Sequence, residues 1–237
     1  MPKKLLFVIL IYFTTPNMTY LQENLLRKAV GVYTGQGDIE KAITLVDKYI
    51  ATHPYDFTGY LNKAIFVRQK GIVSQNQMYF HETIVLLNKA RDLNKEKVPE
   101  EIILGNLATT YLEMQDVNNA IKMYEIALES SKRAFYKVKI AYAHARQGNI
   151  QKAIFLVEQL SYDEMLEADS PDNVGLTLYN VGLIYSLANN APEAVKWLEL
   201  AMQANKKRFL YPLKTDIDLN PIRGKKEFRN LMAKYGV

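Results

Sequence analysis

The 237 residues contain no cysteine. That excludes thiolate nucleophiles, disulfides and cysteine-ligated metal centres, and it leaves the redox compartment open. Histidine is scarce: His53, His81 and His144 are far apart in sequence, with no second His or carboxylate at metal-ligand spacing. Gly-x-Gly-x-x-Gly, Walker and Gly-x-Ser-x-Gly motifs are absent as well, so neither a phosphate-cradling loop nor a nucleophile elbow is encoded. No apolar run reaches the roughly 20 residues of a membrane span. The only clustered carboxylates lie between Ser161 and Asn173. A loop of that kind does not readily push one carboxylate's pKa away from another's, as acid–base chemistry requires. The sequence therefore predicts no enzyme, no metal site and no cofactor. What remains is ordinary globular material, 49 % apolar and 23 % charged, enough for one or two domains with a sizeable core.

Charge is unevenly distributed. The net charge is +5, yet nine basic residues fall after position 204: Lys206, Lys207, Arg208, Lys214, Arg223, Lys225, Lys226, Arg229 and Lys234. Only Asp216, Asp218 and Glu227 oppose them, so the preceding residues are close to neutral and the high pI belongs to the tail. At the other end, Lys3 and Lys4 precede an apolar run from Leu5 to Phe13. A basic start followed by about 7–15 apolar residues reads as a secretory signal over residues 1–19, implying a secreted or periplasmic protein. No Ala-x-Ala cleavage site follows, and the alternative is a cytoplasmic protein whose apolar start covers the first helix pair.

The dominant signal is internal repetition, which decides architecture before any local feature does. Val30 precedes Ala42 by twelve residues; Ala108 precedes Ala120, Ala141 precedes Ala153 and Gly182 precedes Ala194 by the same interval. Between each pair stands a turn signal: Gly37-Asp38, Gln115-Asp116, Gly148-Asn149 and Asn189-Asn190. Two antiparallel helices approach closely only where side chains are small, and Gly or Asn accepts the left-handed backbone that reverses the chain. Three residues after each small one comes a larger residue on the same face: Tyr33, Tyr111, His144 and Tyr185. Tyr33, Tyr111, Tyr124 and Tyr185 therefore read as framework, and His144 as a packed residue in an aromatic position. A single hairpin leaves an apolar face uncovered, so the hairpins must stack.

This pattern resembles the tetratricopeptide repeat, a helix–turn–helix unit that recurs about every 34 residues. Tyr179-Asn180-Val181-Gly182-Leu183-Ile184-Tyr185 is very close to that family's first-helix core, and His53-Pro54 falls at its repeat-ending proline. The second repeat is degenerate, with Tyr60-Leu61-Asn62-Lys63-Ala64 as its core and Thr83 where alanine is expected. The alanine-equivalent positions 42, 83, 120, 153 and 194 are spaced 41, 37, 33 and 41 apart. The extra residues are expected to loop out: Gly71–Gln77 lengthening the turn inside repeat two, and Ser161–Asn173 lengthening the link between repeats four and five. Either insertion could be a recognition loop or plain solvated chain.

The resemblance implies an all-α fold, a right-handed α-solenoid of about five helix pairs with a C-terminal capping helix. The expected array covers residues 20–208, with repeats near 23–56, 57–98, 101–133, 134–173 and 175–208. The capping element covers 209–237, where Pro221 suits a first helical turn and Ile222, Phe228, Leu231 and Met232 would cover the end of repeat five. It further implies a protein- or peptide-binding scaffold whose concave groove is built from the first helix of each repeat. By register, Asn24, Arg27, Asn62, Arg68, Asn106, Thr109, Tyr142, Arg146 and Tyr179 face or border that groove. Some relatives clamp a peptide carboxylate with basic residues there. Repeat three has Ile102 and Asn106 instead, which argues against a chaperone-tail binder, while the mixed lining suits an extended or a helical peptide. The alternatives are nucleic-acid binding through the basic tail and service as an accessory subunit of a separate enzyme.

Overall fold

The computed structural model describes residues 20–95, 100–166 and 171–236. The signal-peptide reading of residues 1–19 therefore lies outside the described residues. Among those described the fold is all-α, with fourteen α-helices, one 3-10 turn and no strand. No described helix is long and apolar enough to cross a membrane.

The chain divides into two compact units after Asp116. The first contains α1 (Tyr20–Gln36), α2 (Ile39–Thr52), α3 (Phe57–Ser74), α4 (Gln77–Leu93) and α5 (Glu100–Glu113). The second opens with α6 (Val117–Ser131), α7 (Ala134–Arg146), α8 (Ile150–Glu158) and α9 (Tyr162–Leu166). It continues with α10 (Pro171–Leu187), α11 (Ala191–Ala204) and α12 (Lys206–Thr215), then a 3-10 turn at Ile217–Leu219, α13 (Asn220–Arg223) and α14 (Lys226–Tyr235).

The five turns within the predicted helix pairs share one chemistry. Each contains a residue in the left-handed region: Gly37 (φ 67°), Gln75 (55°), Gln115 (62°), Gly148 (87°) and Asn189 (57°). An Asp or Asn follows each one in sequence. The side chains of Asp38, Asn76 and Asn190 accept the exposed backbone N–H groups of Lys41, Met78 and Glu193 at 3.0–3.3 Å, capping α2, α4 and α11. Reversal and helix start are thus written in two adjacent residues.

Packing confirms the register. Ala42, Thr83, Ala120, Ala153 and Ala194 are all fully buried, as are Ala108 and Ala141. Gly182 shows why the position must be small. A Cβ there would lie 2.7 Å from Cγ of Leu198 and 3.3 Å from the carbonyl oxygen of Ala194.

In their described residues, both insertions differ from the looped-out form expected of them. Gly71 to Ser74 are helical, and only Gln75 and Asn76 separate α3 from α4. Seven residues are close to two turns of helix, so α3 and α4 each grow by about one turn and keep their buried faces in line. Gly71 makes the added turns fit: a Cβ there would meet the Phe80 ring at 2.9 Å. In the second insertion, Tyr162–Leu166 form the short helix α9 and residues 171–173 open α10, while 167–170 lie outside the described residues. Ser161 and Glu164 exchange hydrogen bonds with each other's backbone N–H at 2.8 and 3.1 Å, a capping box, and Met165 is buried beneath.

The C-terminal element is more than one capping helix. α12 runs across the expected 208/209 boundary and packs on α11, as does α14. Ile222, Phe228 and Leu231 are buried as expected, joined by Phe209, Leu213 and Leu219, whereas Met232 is half-buried. The Phe209 ring stacks on Tyr179 at 5.1 Å.

Two glycines should answer oppositely to alanine. Gly182→Ala forces Leu198 from its seat and is expected to lower stability by about 1–2 kcal/mol. Gly31, helical and exposed, has nothing within 4 Å of its would-be Cβ. Gly31→Ala is therefore expected to raise stability by up to about 1 kcal/mol. Thermal melts of the two variants measure both signs.

Candidate ligand surfaces

The residues expected to line a groove fall into two sets, one in each unit. In the first unit, Asn24 and Arg27 lie on α1; Arg27 is exposed, and the side chain of Asn24 lies outside the described set. On α3 and α5 the same register places Asn62 and Asn106, both buried. Each asparagine donates its Nδ2 to the carbonyl one turn earlier in its own helix, at 2.7 Å to Thr58 and 2.9 Å to Ile102. Arg68 of α3 is also buried and spans to α5, where Nη1 donates to Oδ1 and the backbone oxygen of Asn106 at 3.1 and 3.3 Å. Arg68 is thus a tie between successive first helices. Thr109, half-buried, donates to Gly105 at 2.8 Å, and Ile102 beside it is half-buried. Of this set, Arg27 and Thr109 are the side chains with surface to offer.

The second unit is arranged differently. Tyr142 and Arg146 of α7 and Tyr179 of α10 do face inward, but what they meet is the chain's own C-terminal segment. Tyr142 is 9 % exposed and Tyr179 is 1 % exposed. The Tyr142 hydroxyl donates a short hydrogen bond to Oδ2 of Asp218. The Tyr179 hydroxyl donates to Oδ2 of Asp216 at 3.2 Å. Arg146 Nε lies 3.9 Å from the Asp218 carboxylate, and Ser186 of α10 donates to the Asp218 carbonyl at 2.6 Å. The segment is stiffened from within, since Asp216 Oδ1 accepts the Asp218 N–H at 3.0 Å. Arg223 donates to the carbonyls of Asp216 and Leu213 at 2.6 and 3.3 Å. The reading of Tyr142 and Tyr179 as open groove residues is therefore corrected: both are covered. An Asp-x-Asp turn on two tyrosine hydroxyls supplies what their rings and burial require. Sequence reasoning missed Asp216, Asp218, Ser186 and Arg223 as their partners. Nothing in a linear pattern says that a tail folds back onto helices 32 to 76 residues upstream.

Burial, and next to it the negative charge of Asp218, pushes the Asp216 carboxyl up to about 6, with Arg146 opposing. Burial holds both tyrosine hydroxyls well above the usual range, helped by Asp218 and Asp216 at Tyr142 and by Asp216 at Tyr179, so both remain donors.

The elsewhere unabsorbed residues give no rival site. His144 is buried within α7. Trp197 is half-buried, its ring 6.2 Å from that of Tyr162. Among the described residues no three His, Asp or Glu side chains gather as a metal set would.

With this geometry in place, comparison with known proteins is informative. The family model described as tetratricopeptide repeat matches residues 103–134, which hold most of α5 and all of α6. Among solved structures, a Podospora anserina putative kinesin light chain with nearly identical tetratricopeptide-like repeats is 16 % identical with a TM-score of 0.50, covering 81 % of this chain and 100 % of that one. YrrB, a tetratricopeptide-repeat protein with an unusual peptide-binding site, is 16 % identical with a TM-score of 0.42, covering 79 % of this chain and 88 % of that one. A tetratricopeptide-repeat protein from Bacteroides fragilis is 15 % identical with a TM-score of 0.33, covering 91 % of this chain and 97 % of that one. No curated protein matches. The class is an all-α helical-repeat protein. Within that class, residues 103–134 match the tetratricopeptide-repeat family model, and the fold as a whole is similar to that of tetratricopeptide-like repeats.

A pH test follows from Asp216. Its carboxyl is raised in the folded state, so protonation favours the docked segment: the gain is complete below the unfolded value near 4 and is lost as pH rises through about 6. Between pH 7 and pH 5 this group alone should add about 1 kcal/mol of stability. Asp216→Asn keeps one acceptor oxygen, enough for the Asp218 N–H or for Tyr179 but not for both, and with no titratable carboxyl it should remove that increment. Chemical denaturation of both proteins at the two pH values measures the difference.

Proposed function

We propose that the protein is a non-enzymatic scaffold that binds a protein or peptide segment along the inner face of its first helices. The observation that carries this reading is the cross-helix tie from Arg68 to Asn106. It fixes α3 against α5 before any ligand arrives and leaves Ile102 and Thr109 partly open on a rigid polar and apolar surface. A pre-formed surface lowers the ordering cost of binding. The face of the second unit is covered by the chain's own tail, so the first unit's face is the one open without displacement of that segment. Export through the N-terminal segment belongs to the same proposal. N-terminal sequencing of native protein would contradict it by finding an intact Met1-Pro2 or Pro2-Lys3 start.

One observation favours a second reading, anion or nucleic-acid binding through the C-terminal element. Asp216 and Asp218 both turn inward, so of the tail's acids only Glu227 is left on the outer side, opposite Lys207, Lys214, Lys225, Lys226 and Arg229, all of them exposed.

The test compares two variants against the partner recovered by affinity purification from native cells. Thr109→Glu places a charge on the first unit's inner face and should weaken binding at least about tenfold, which is 1.4 kcal/mol, with an unchanged melting temperature. Lys225→Ser with Lys226→Ser should change affinity little at physiological salt, because rim charges act mainly on encounter rate. The reverse result moves the binding surface to the tail, and a mobility-shift assay across a salt series then reads the second hypothesis.

A further inference from the structure

We infer that the inner face of the second unit is a receptor for an acidic turn, and that the chain's own Asp216–Ile222 segment is its resident occupant, an autoinhibitory contact that a partner bearing the same chemistry displaces. This rests on the proposed function, since it treats a first-helix face as a binding surface. It goes further by naming what that face recognises.

Three observations point the same way. First, recognition is divided as in a complex between receptor and peptide. One side is the helical framework, with Tyr142 and Arg146 on α7 and Tyr179 and Ser186 on α10; the other is a non-helical turn presenting two carboxylates and a carbonyl. Each hydroxyl has its own carboxylate: Tyr142 holds Asp218 and Tyr179 holds Asp216. Second, the turn is held in its bound shape by bonds of its own, from the Asp218 N–H and from Arg223, so it reaches the receptor already organised. Third, side chains alternate in their commitment: Ile217 between the two aspartates is 67 % exposed, while Leu219 and Ile222 are fully buried. A turn contacting the receptor through Asp, Asp, Leu and Ile, and spending nothing on Ile217, defines the pattern Asp-x-Asp-Leu-x-x-Ile. A segment tethered by a short connection has an effective concentration on the order of millimolar. The resident segment therefore excludes free peptides of similar intrinsic affinity and yields to a partner that offers further contacts.

The experiment uses the full chain and a fluorescent peptide of residues 213–224, Leu-Lys-Thr-Asp-Ile-Asp-Leu-Asn-Pro-Ile-Arg-Gly. Wild-type protein should give little anisotropy change at micromolar concentrations. Full-length Asp216→Ala with Asp218→Ala, whose own turn has lost both carboxylates, should bind the peptide at least tenfold tighter. Adding Tyr142→Phe and Tyr179→Phe should return binding to the wild-type level, and a peptide with both aspartates replaced by alanine should not bind. If the aspartate variant is folded by circular dichroism and does not bind the peptide, or if wild type binds it equally well, the inference is overturned. Should the variant fail to fold, hydrogen exchange of the wild type decides. Amides of 216–232 opening before those of α7 and α10 support a displaceable occupant, and exchange only in step with those helices overturns it. Thr109→Glu is the test of the first unit and leaves this assay untouched, so either idea can fail alone.

Discussion

Everything in this fold depends on how closely two helices may approach. A small residue on the first helix of a pair and a small residue twelve positions later on the second let the backbones come within contact distance. The gap is then closed by the side chains beside it, as Leu198 closes on Gly182. A pair so joined is a flat unit with an apolar face on either side, and stacking is the only way to bury both. The buried alanines at 42, 120, 153 and 194 are thus causes of the architecture, and the tyrosines at 33, 124 and 185 fill the space which those small residues leave.

The last pair in such a stack has no successor. In the second unit, α12 and α14 lie on α11 and supply the missing apolar cover through Phe209, Phe228 and Leu231. Between those two helices the chain must cross, and it crosses over the first-helix side, where Tyr142, Tyr179 and Ser186 present hydroxyls that burial would otherwise leave unpaired. Leaving buried hydroxyls without partners costs about 1–3 kcal/mol each. The Asp216–Asp218 turn removes that cost and brings in its place two carboxylates, and burial pushes the Asp216 carboxyl up. The terminal cover and the face expected to bind a partner are, in this unit, the same piece of chain.

The helix pairs were legible because their signal is local and periodic: a small residue, a turn residue and an alanine at fixed intervals. The closing element was legible as a change of pattern at Arg208, and its buried Ile222, Phe228 and Leu231 were recognisable as apolar residues at helical spacing. Two things were not legible. Gly71–Gln77 resembled a loop because it holds Gly, Ser and Asn, yet Gly71 and Ser74 are helical, and the glycine serves a close approach to Phe80. The accessibility of Tyr142 and Tyr179 was unreadable for a different reason. Register says which way a side chain points, and only the path of residues 216–222 says whether anything stands there. The gap between face and groove is a matter of long-range topology.

The extra turn in α3 and α4 carries an implication for how arrays of this kind change length. A helix pair tolerates added residues without disturbing its neighbours only if the side chains beyond the addition return to the same azimuth. Seven residues shared between two antiparallel helices come close to satisfying that; two or five would rotate one face out of the stack. Growth inside a repeat is therefore quantised, while growth between repeats, as at Ser161–Asn173, is free to take any length. Repeat boundaries, and not the turns within repeats, are where such a chain can vary continuously.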